Sequence, residues 1–298
     1  MSLVDHLSTL PVALRDLMRA PDVSEVMVMG DGSLWVEGPR GLRRTGAIDT
    51  EDVALAIEQI TRFSGRRVDL TSPIVDAHLP DGSRACVVLS PVAVDGPTIC
   101  IRRFAPAVVP LSAFTDPDTA RRLRALVAAR RNIVVSGATS SGKTTLLSSL
   151  VAGIPTRERL VVIEDTTELR LDHPHVVRLQ TRPGTTEGIG VVTARELVRT
   201  SMRLRPDRLV IGEVRGGEGI DMLLALTSGH EGCMTTVHAR SADDALERLA
   251  VLAMRDNPQF GHAVLRRLVA RAIDAVVHVE RGPSGARRVS EVRTVGDA

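Results

Sequence analysis

Gly137-Ala138-Thr139-Ser140-Ser141-Gly142-Lys143-Thr144 follows the spacing G-x-x-x-x-G-K-[ST]. Glycines at those places let the chain turn tightly, so successive backbone N–H groups converge on one anion site. The pattern is the phosphate-binding P-loop, and its flanks fit. Arg131-Asn132-Ile133-Val134-Val135-Ser136 reads as a short buried strand leading in, and Thr144 to Val151 as a helix leading out. The helix adds its partial positive N-terminus to the loop amides. In such a loop Gly137, Ala138, Thr139, Ser140, Ser141, Gly142 and Thr145 cradle phosphates. Lys143 reaches the β- and γ-phosphates, and the Thr144 hydroxyl takes Mg²⁺. The expected ligands are therefore a nucleotide and Mg²⁺.

Composition isolates the lysine. Lysine and arginine together number 38, and the only lysine is Lys143. A P-loop needs a compact ammonium on a flexible stem, which a guanidinium does not imitate. The single lysine stands where the chemistry forbids the exchange.

The whole chain sets wider bounds. A length of 298 residues predicts two domains, and 43% apolar residues supply their cores. A net charge of +2 gives no electrostatic bias toward nucleic acid or acidic lipid. With one Trp, four Phe and no Tyr, a base-stacking platform is poorly supplied. Cys86, Cys100 and Cys233 form no C-x-x-C pair, which argues for reduced structural thiols in a cytosolic protein. No apolar run of membrane-spanning length and no signal peptide is evident.

Working outward toward the N-terminus, Leu7, Leu10, Leu14 and Leu17 recur at helical spacing. Val23–Met29 and Ser33–Glu37 flank Gly30-Asp31-Gly32 as a hairpin. A helix is expected over 52–64, followed by alternating strands at 74–79, 84–89 and 98–102. Residues 1–105 thus read as a small α+β domain, and 106–118 as a linker containing two prolines before its helix-capping Asp116-Pro117. From 119 to 298 strands and helices alternate, as in an α/β domain with a mostly parallel sheet and a terminal hairpin. Thr193-Ala194-Arg195-Glu196 and Ser241-Ala242-Asp243-Asp244 resemble helix capping boxes.

Hydrolysis needs carboxylates to hold the metal and orient water. Leu160–Ile163 runs into Glu164-Asp165, and Arg208–Ile211 runs into Gly212-Glu213. Ligands of an open parallel sheet lie beyond the strands' carboxyl ends, so both acids are expected to face the P-loop crevice. His230 and His238 bracket a further apolar strand, with His238 placed to touch a γ-phosphate or its water.

Five stretches together resemble the secretion-superfamily traffic ATPases: Gly137–Thr145, Val162–Leu169, Arg205–Arg215, Gly229–Gly232 and Thr235–Ala239. The likeness is closest to the Tad/Flp pilus assembly and type IV secretion branch, and 68–84 extends it into the first domain. It implies a RecA-like P-loop ATPase domain behind a smaller N-terminal α+β domain. It further implies a homo-hexameric ring at the cytoplasmic side of the plasma membrane, docked on an inner-membrane platform protein of a pilus or secretion machine. In that pattern Glu164 and Glu168 form the acidic box, Glu213 the Walker B acid, and His230 and His238 the histidine box. Glu213 would hold Mg²⁺ beside Thr144, directly or through water, and Glu164 would activate water. First-domain arginines, here Arg84 and Arg102 with Arg103 as a substitute, would reach nucleotide held between the domains. The four-cysteine zinc module of type II relatives is missing. Two alternatives stand: a nucleic-acid motor ATPase, against which the balanced charge weighs, and a regulatory ring subunit that binds ATP without turnover.

Overall fold

The structure, a computed structural model, describes residues 6–64, 68–103, 108–182, 190–255, 257, 259–282 and 285–296. It divides into two compact units, 1–106 and 107–298. Part of the expected linker, 106–107, and Pro283-Ser284 of the terminal hairpin lie outside the described residues.

The first unit opens with a 3₁₀ turn at His6–Thr9 and α1 (Val12–Arg19), with Pro11 at the N-cap where its missing N–H costs nothing. β1 (Glu25–Val28), β2 (Ser33–Glu37), β3 (Arg43–Ala47), α2 (Thr50–Ser64), β4 (Ile74–His78), β5 (Arg84–Val88) and β6 (Thr98–Arg102) follow. The strands form one antiparallel sheet in the order β3-β2-β1-β6-β5-β4. Alternate residues face inward: Val26, Val28, Val75, Val87, Ile99 and Ile101 join Leu14, Met18 and Ile60 in the core. The other face is mixed, with Met27, Trp35 and Val88 among Glu25, Asp76 and His78. Along one row of it Cys86 stands opposite Cys100, and along the next Arg84 stands opposite Arg102. Burial comes first in pushing the Cys100 thiol up to about 12, with the Glu25 carboxylate beside it adding to the shift. Burial alone does the same to Cys233. Both thiols are thus held in the protonated, unreactive form.

The second unit comprises α3 (Pro117–Ala128), β7 (Ile133–Gly137), α4 (Lys143–Val151), β8 (Leu160–Glu164), β9 (Val176–Gln180), α5 (Ala194–Ser201), β10 (Arg208–Ile211), α6 (Glu218–Thr227), β11 (Met234–His238), α7 (Ala242–Met254), α8 (His262–Ala272), β12 (Ala275–Arg281) and β13 (Arg287–Thr294). Its sheet runs β13-β12-β7-β11-β10-β8-β9, parallel except for the β12–β13 hairpin. The central strands are buried on both faces. Ile133, Val135, Val162 and Val210 meet α3 and α4, while Val134, Ile163, Leu209 and Ile211 meet the layer of α5–α8. This is the α/β architecture with a mostly parallel sheet that the sequence implied, and helices cover both of its faces.

The expected linker is not a free tether throughout. Leu111 and Phe114 are buried in the second unit's core, and the Phe114 carbonyl accepts from the Val289 N–H. Asp116 caps α3 as read, accepting from the Asp118 and Thr119 N–H groups. The α5 capping box is complete. At α7 Ser241 accepts from the Asp244 N–H, but the shorter Asp244 side chain accepts from Arg240 rather than from Ser241.

Candidate functional site

The P-loop lies between the end of β7 and the start of α4. Ser140 (φ 60°) and Gly142 (φ 99°) take left-handed backbone there, and Gly142 is the N-cap of α4 with no side chain satisfying the helix amides. Those amides remain aimed outward, which is what an anion needs. Lys143 is 7% exposed. Its Nζ donates to the Ala138 carbonyl at 2.8 Å and stands 3.0 Å from His238 Nδ1.

His238 ends β11, register partner of Gly137. Facing an ammonium, Nδ1 is the acceptor, so the proton sits on Nε2. Nε2 comes within 2.8 Å of Glu213 Oε1, off the axis a hydrogen bond needs, and Oε1 is a buried acceptor without an aligned donor. Burial first, then the Lys143 charge, pulls the His238 pKa below its ordinary value, keeping the ring neutral. One imidazole therefore bridges the P-loop lysine to the β10 acid.

Glu213 Oε2 accepts from Arg215 Nε at 2.6 Å, and Arg215 Nη1 reaches Asp165 Oδ2 at 3.2 Å. Arg215 thereby ties the segment after β10 to the segment after β8. The Glu218 carboxylate accepts from the Arg215 and Gly216 N–H groups and fixes the turn between Glu213 and α6. Glu164, 5% exposed, accepts from the Glu168 and Leu169 N–H groups through Oε1. Burial raises its pKa against those two bonds. Its Cγ lies 3.2 Å from where a Cβ on Gly212 would sit, so the two glutamates flank Gly212.

Several expected residues thus converge: Lys143, His238, Glu213 and, one strand further, Glu164. His230 does not join them. It precedes β11, at the strand's amino end, and lines a separate cavity of about 230 Å³ with Arg130, Asp207 and Arg208. A five-residue strand, about 15 Å long, separates the two histidines. Arg84 and Arg102 belong to the first unit, side by side on the outer face of its sheet. Arg103 is committed elsewhere, donating to the Ala20 and Val23 carbonyls. Sequence reading passed over the links made by Arg215 and Glu218. Arg215 stands two residues after Glu213, a spacing that returns a side chain to the same side in extended chain.

Among the described residues no three His, Cys, Asp or Glu gather as a metal site. A Mg²⁺ ion held by one hydroxyl, one carboxylate and nucleotide phosphates needs no such cluster. The unpaired Oε1 of Glu213 fits that limited part.

An anion-binding loop, an ammonium and strand-end carboxylates on one edge of a doubly covered parallel sheet define a P-loop nucleotide hydrolase of RecA-like architecture. Comparison with known proteins narrows the class. The model of the type II/IV secretion system protein family matches residues 17–287. A putative conjugal transfer protein of Mycobacterium tuberculosis, Rv3659c, is 37% identical, over 96% of this chain and 84% of its own. The type IV secretion system protein PtlH of Bordetella pertussis is 38% identical, over 94% and 92%. The crystal structure of the VirB11 ATPase from the Brucella suis type IV secretion system, in complex with sulphate, matches with a TM-score of 0.54 at 30% identity, covering 97% of this chain and 93% of that one. The chain belongs to the type II/IV secretion family, as a secretion ATPase.

Proposed function

We propose that the chain is a Mg²⁺-dependent ATPase acting as a homo-hexameric motor on the cytoplasmic side of the plasma membrane, where an inner-membrane platform protein of a pilus or secretion machine receives its motion. Among the described residues no helix is long and apolar enough to cross a membrane, so attachment would run through that partner. The observation that carries the reading is the Lys143–His238–Glu213 bridge at the carboxyl edge.

In this reading the P-loop amides take the phosphate oxygens. Lys143 exchanges the Ala138 carbonyl and His238 Nδ1 for the β- and γ-phosphates, a stronger charge-assisted pairing. Thr144 and Glu213 would hold Mg²⁺, which when bound neutralises phosphate charge. Glu164 is the carboxylate that orients and deprotonates water, beside Glu213 on the metal. Burial favours Glu164 as a base by raising its proton affinity. His238, released by Lys143, carries the news of the γ-phosphate to Glu213. Arg84 and Arg102 are adjacent cations suited to phosphate oxygens in the assembled ring.

The test is ATP titration and phosphate release with Lys143→Ala. Each lost charge-assisted bond is worth ~1.5–3 kcal/mol, so affinity should fall by at least about tenfold and turnover should vanish. Unchanged affinity in a folded variant would refute the assignment. Turnover stimulated by DNA would favour the nucleic-acid motor instead.

A further inference from the structure

The sheet order places β11 and β10 on one side of the P-loop strand β7, and β12 and β13 on the other. Lys143, His238 and Glu213 all gather on the β11–β10 side. If that is the reacting end of the nucleotide, the phosphate nearest the nucleoside and the ribose lie toward β12–β13. There Arg287, the first residue of β13, lays its side chain over Gly142. A Cβ at Gly142 would stand 2.6 Å from Arg287 Cδ. Arg287 Nη1 lies 3.4 Å from Thr145 Oγ1, in the first turn of α4. Arg287 is exposed. The β12 strand below is packed tightly on the loop, since a Cβ at Gly137 would stand 2.3 Å from the Val279 carbonyl oxygen. The hairpin therefore delivers its first side chain to a fixed place.

We infer that Arg287 is a nucleotide-binding residue, whose guanidinium grips the α-phosphate and ribose end of the bound nucleotide. The inference rests on the nucleotide reading above. The missing Cβ of Gly142 gives the arginine stem a groove to lie in. The planar head then sits at the amide end of α4, where it adds a full charge to the helix's partial one. A grip at this end is blind to the γ-phosphate. It holds ATP and ADP alike and keeps product bound after hydrolysis.

The experiment is calorimetric titration of ATP and of ADP into the wild type, Arg287→Ala, Arg288→Ala and Lys143→Ala, each first checked for an unchanged melting temperature. Arg287→Ala should weaken ATP and ADP by the same factor, about tenfold for one charge-assisted contact. Arg288→Ala removes the same charge from the next residue, which alternation turns to the opposite face, and should change neither affinity. A Arg287→Ala variant that binds both nucleotides normally, or that loses ATP but not ADP, overturns the inference. So does an equal loss from Arg288→Ala, which would mean general surface charge. If Lys143→Ala binds ATP normally, the nucleotide reading itself has failed.

Discussion

The two ends of the second unit's parallel sheet carry similar residue types and use them oppositely. At the carboxyl end the largely buried Lys143 and Glu213 meet the half-exposed His238 and Arg215, contacts that can exchange partners. At the amino end Arg208, 1% exposed, donates to Glu158 and to the Val127 carbonyl, and Arg130 closes on the same Glu158 oxygen at 3.1 Å. Gly232 is shaped around this guanidinium: a Cβ there would stand 2.2 Å from Arg208 Nη1. A charge that must respond to a ligand is left with a neutral or half-exposed partner that it can exchange. A charge that fixes strand ends is sealed in, and removing its partner leaves an uncompensated ion.

The largest effect should therefore come from the end that does no chemistry. Arg208→Ala leaves the buried Glu158 with the half-exposed Arg130 as its remaining cation and empties the space the guanidinium filled, and should cost about 3 kcal/mol of stability, read from urea denaturation. Turnover per folded molecule should survive. A stable Arg208→Ala protein with poor turnover would break the comparison, because it would make the buried pair part of the catalytic machinery.

Glu213→Gln should do the reverse. Its melting temperature should stay near that of the wild type and ATP should still bind. Phosphate release should slow by about 100-fold or more, near 2.7 kcal/mol in barrier. Glu164→Gln should match it in turnover. Near-normal rates in either variant would remove that carboxylate from the chemistry.

The carboxyl end was largely legible in the sequence because its signals are local. The P-loop is eight consecutive residues, and Glu164, Glu213 and His238 each end an apolar run. The mostly parallel sheet followed from the alternation of short apolar strands with helices. What stayed hidden depends on long-range pairing. Glu158 and Arg208 lie 50 residues apart, and the Ser136–His278 hydrogen bond beneath the P-loop spans 142. Neither has a neighbour in sequence that marks it. β3 escaped because Arg43-Arg44-Thr45-Gly46-Ala47 is an exposed edge strand without alternating apolar residues. The helical stretch after β11 is two helices, α7 and α8, a division that periodicity alone did not show.

The smallest effect separates the two histidines, which the family resemblance groups in one box. His238 touches both the P-loop lysine and the Walker B acid. His238→Ala should leave the fold intact and lower turnover about tenfold, the low end for losing a group that acts beside the reacting centre. His230 lies at the other end of β11 with its Nδ1 buried and unbonded, so its ring contributes no hydrogen bond there that alanine would forfeit. His230→Ala should change turnover by less than about twofold, within the ~0.5 kcal/mol range of substitutions away from any special feature. Phosphate release from the two variants under one set of conditions decides it. Equal losses would mean that the amino end also communicates with the nucleotide, and the division between a responsive end and a sealed one would have to be abandoned.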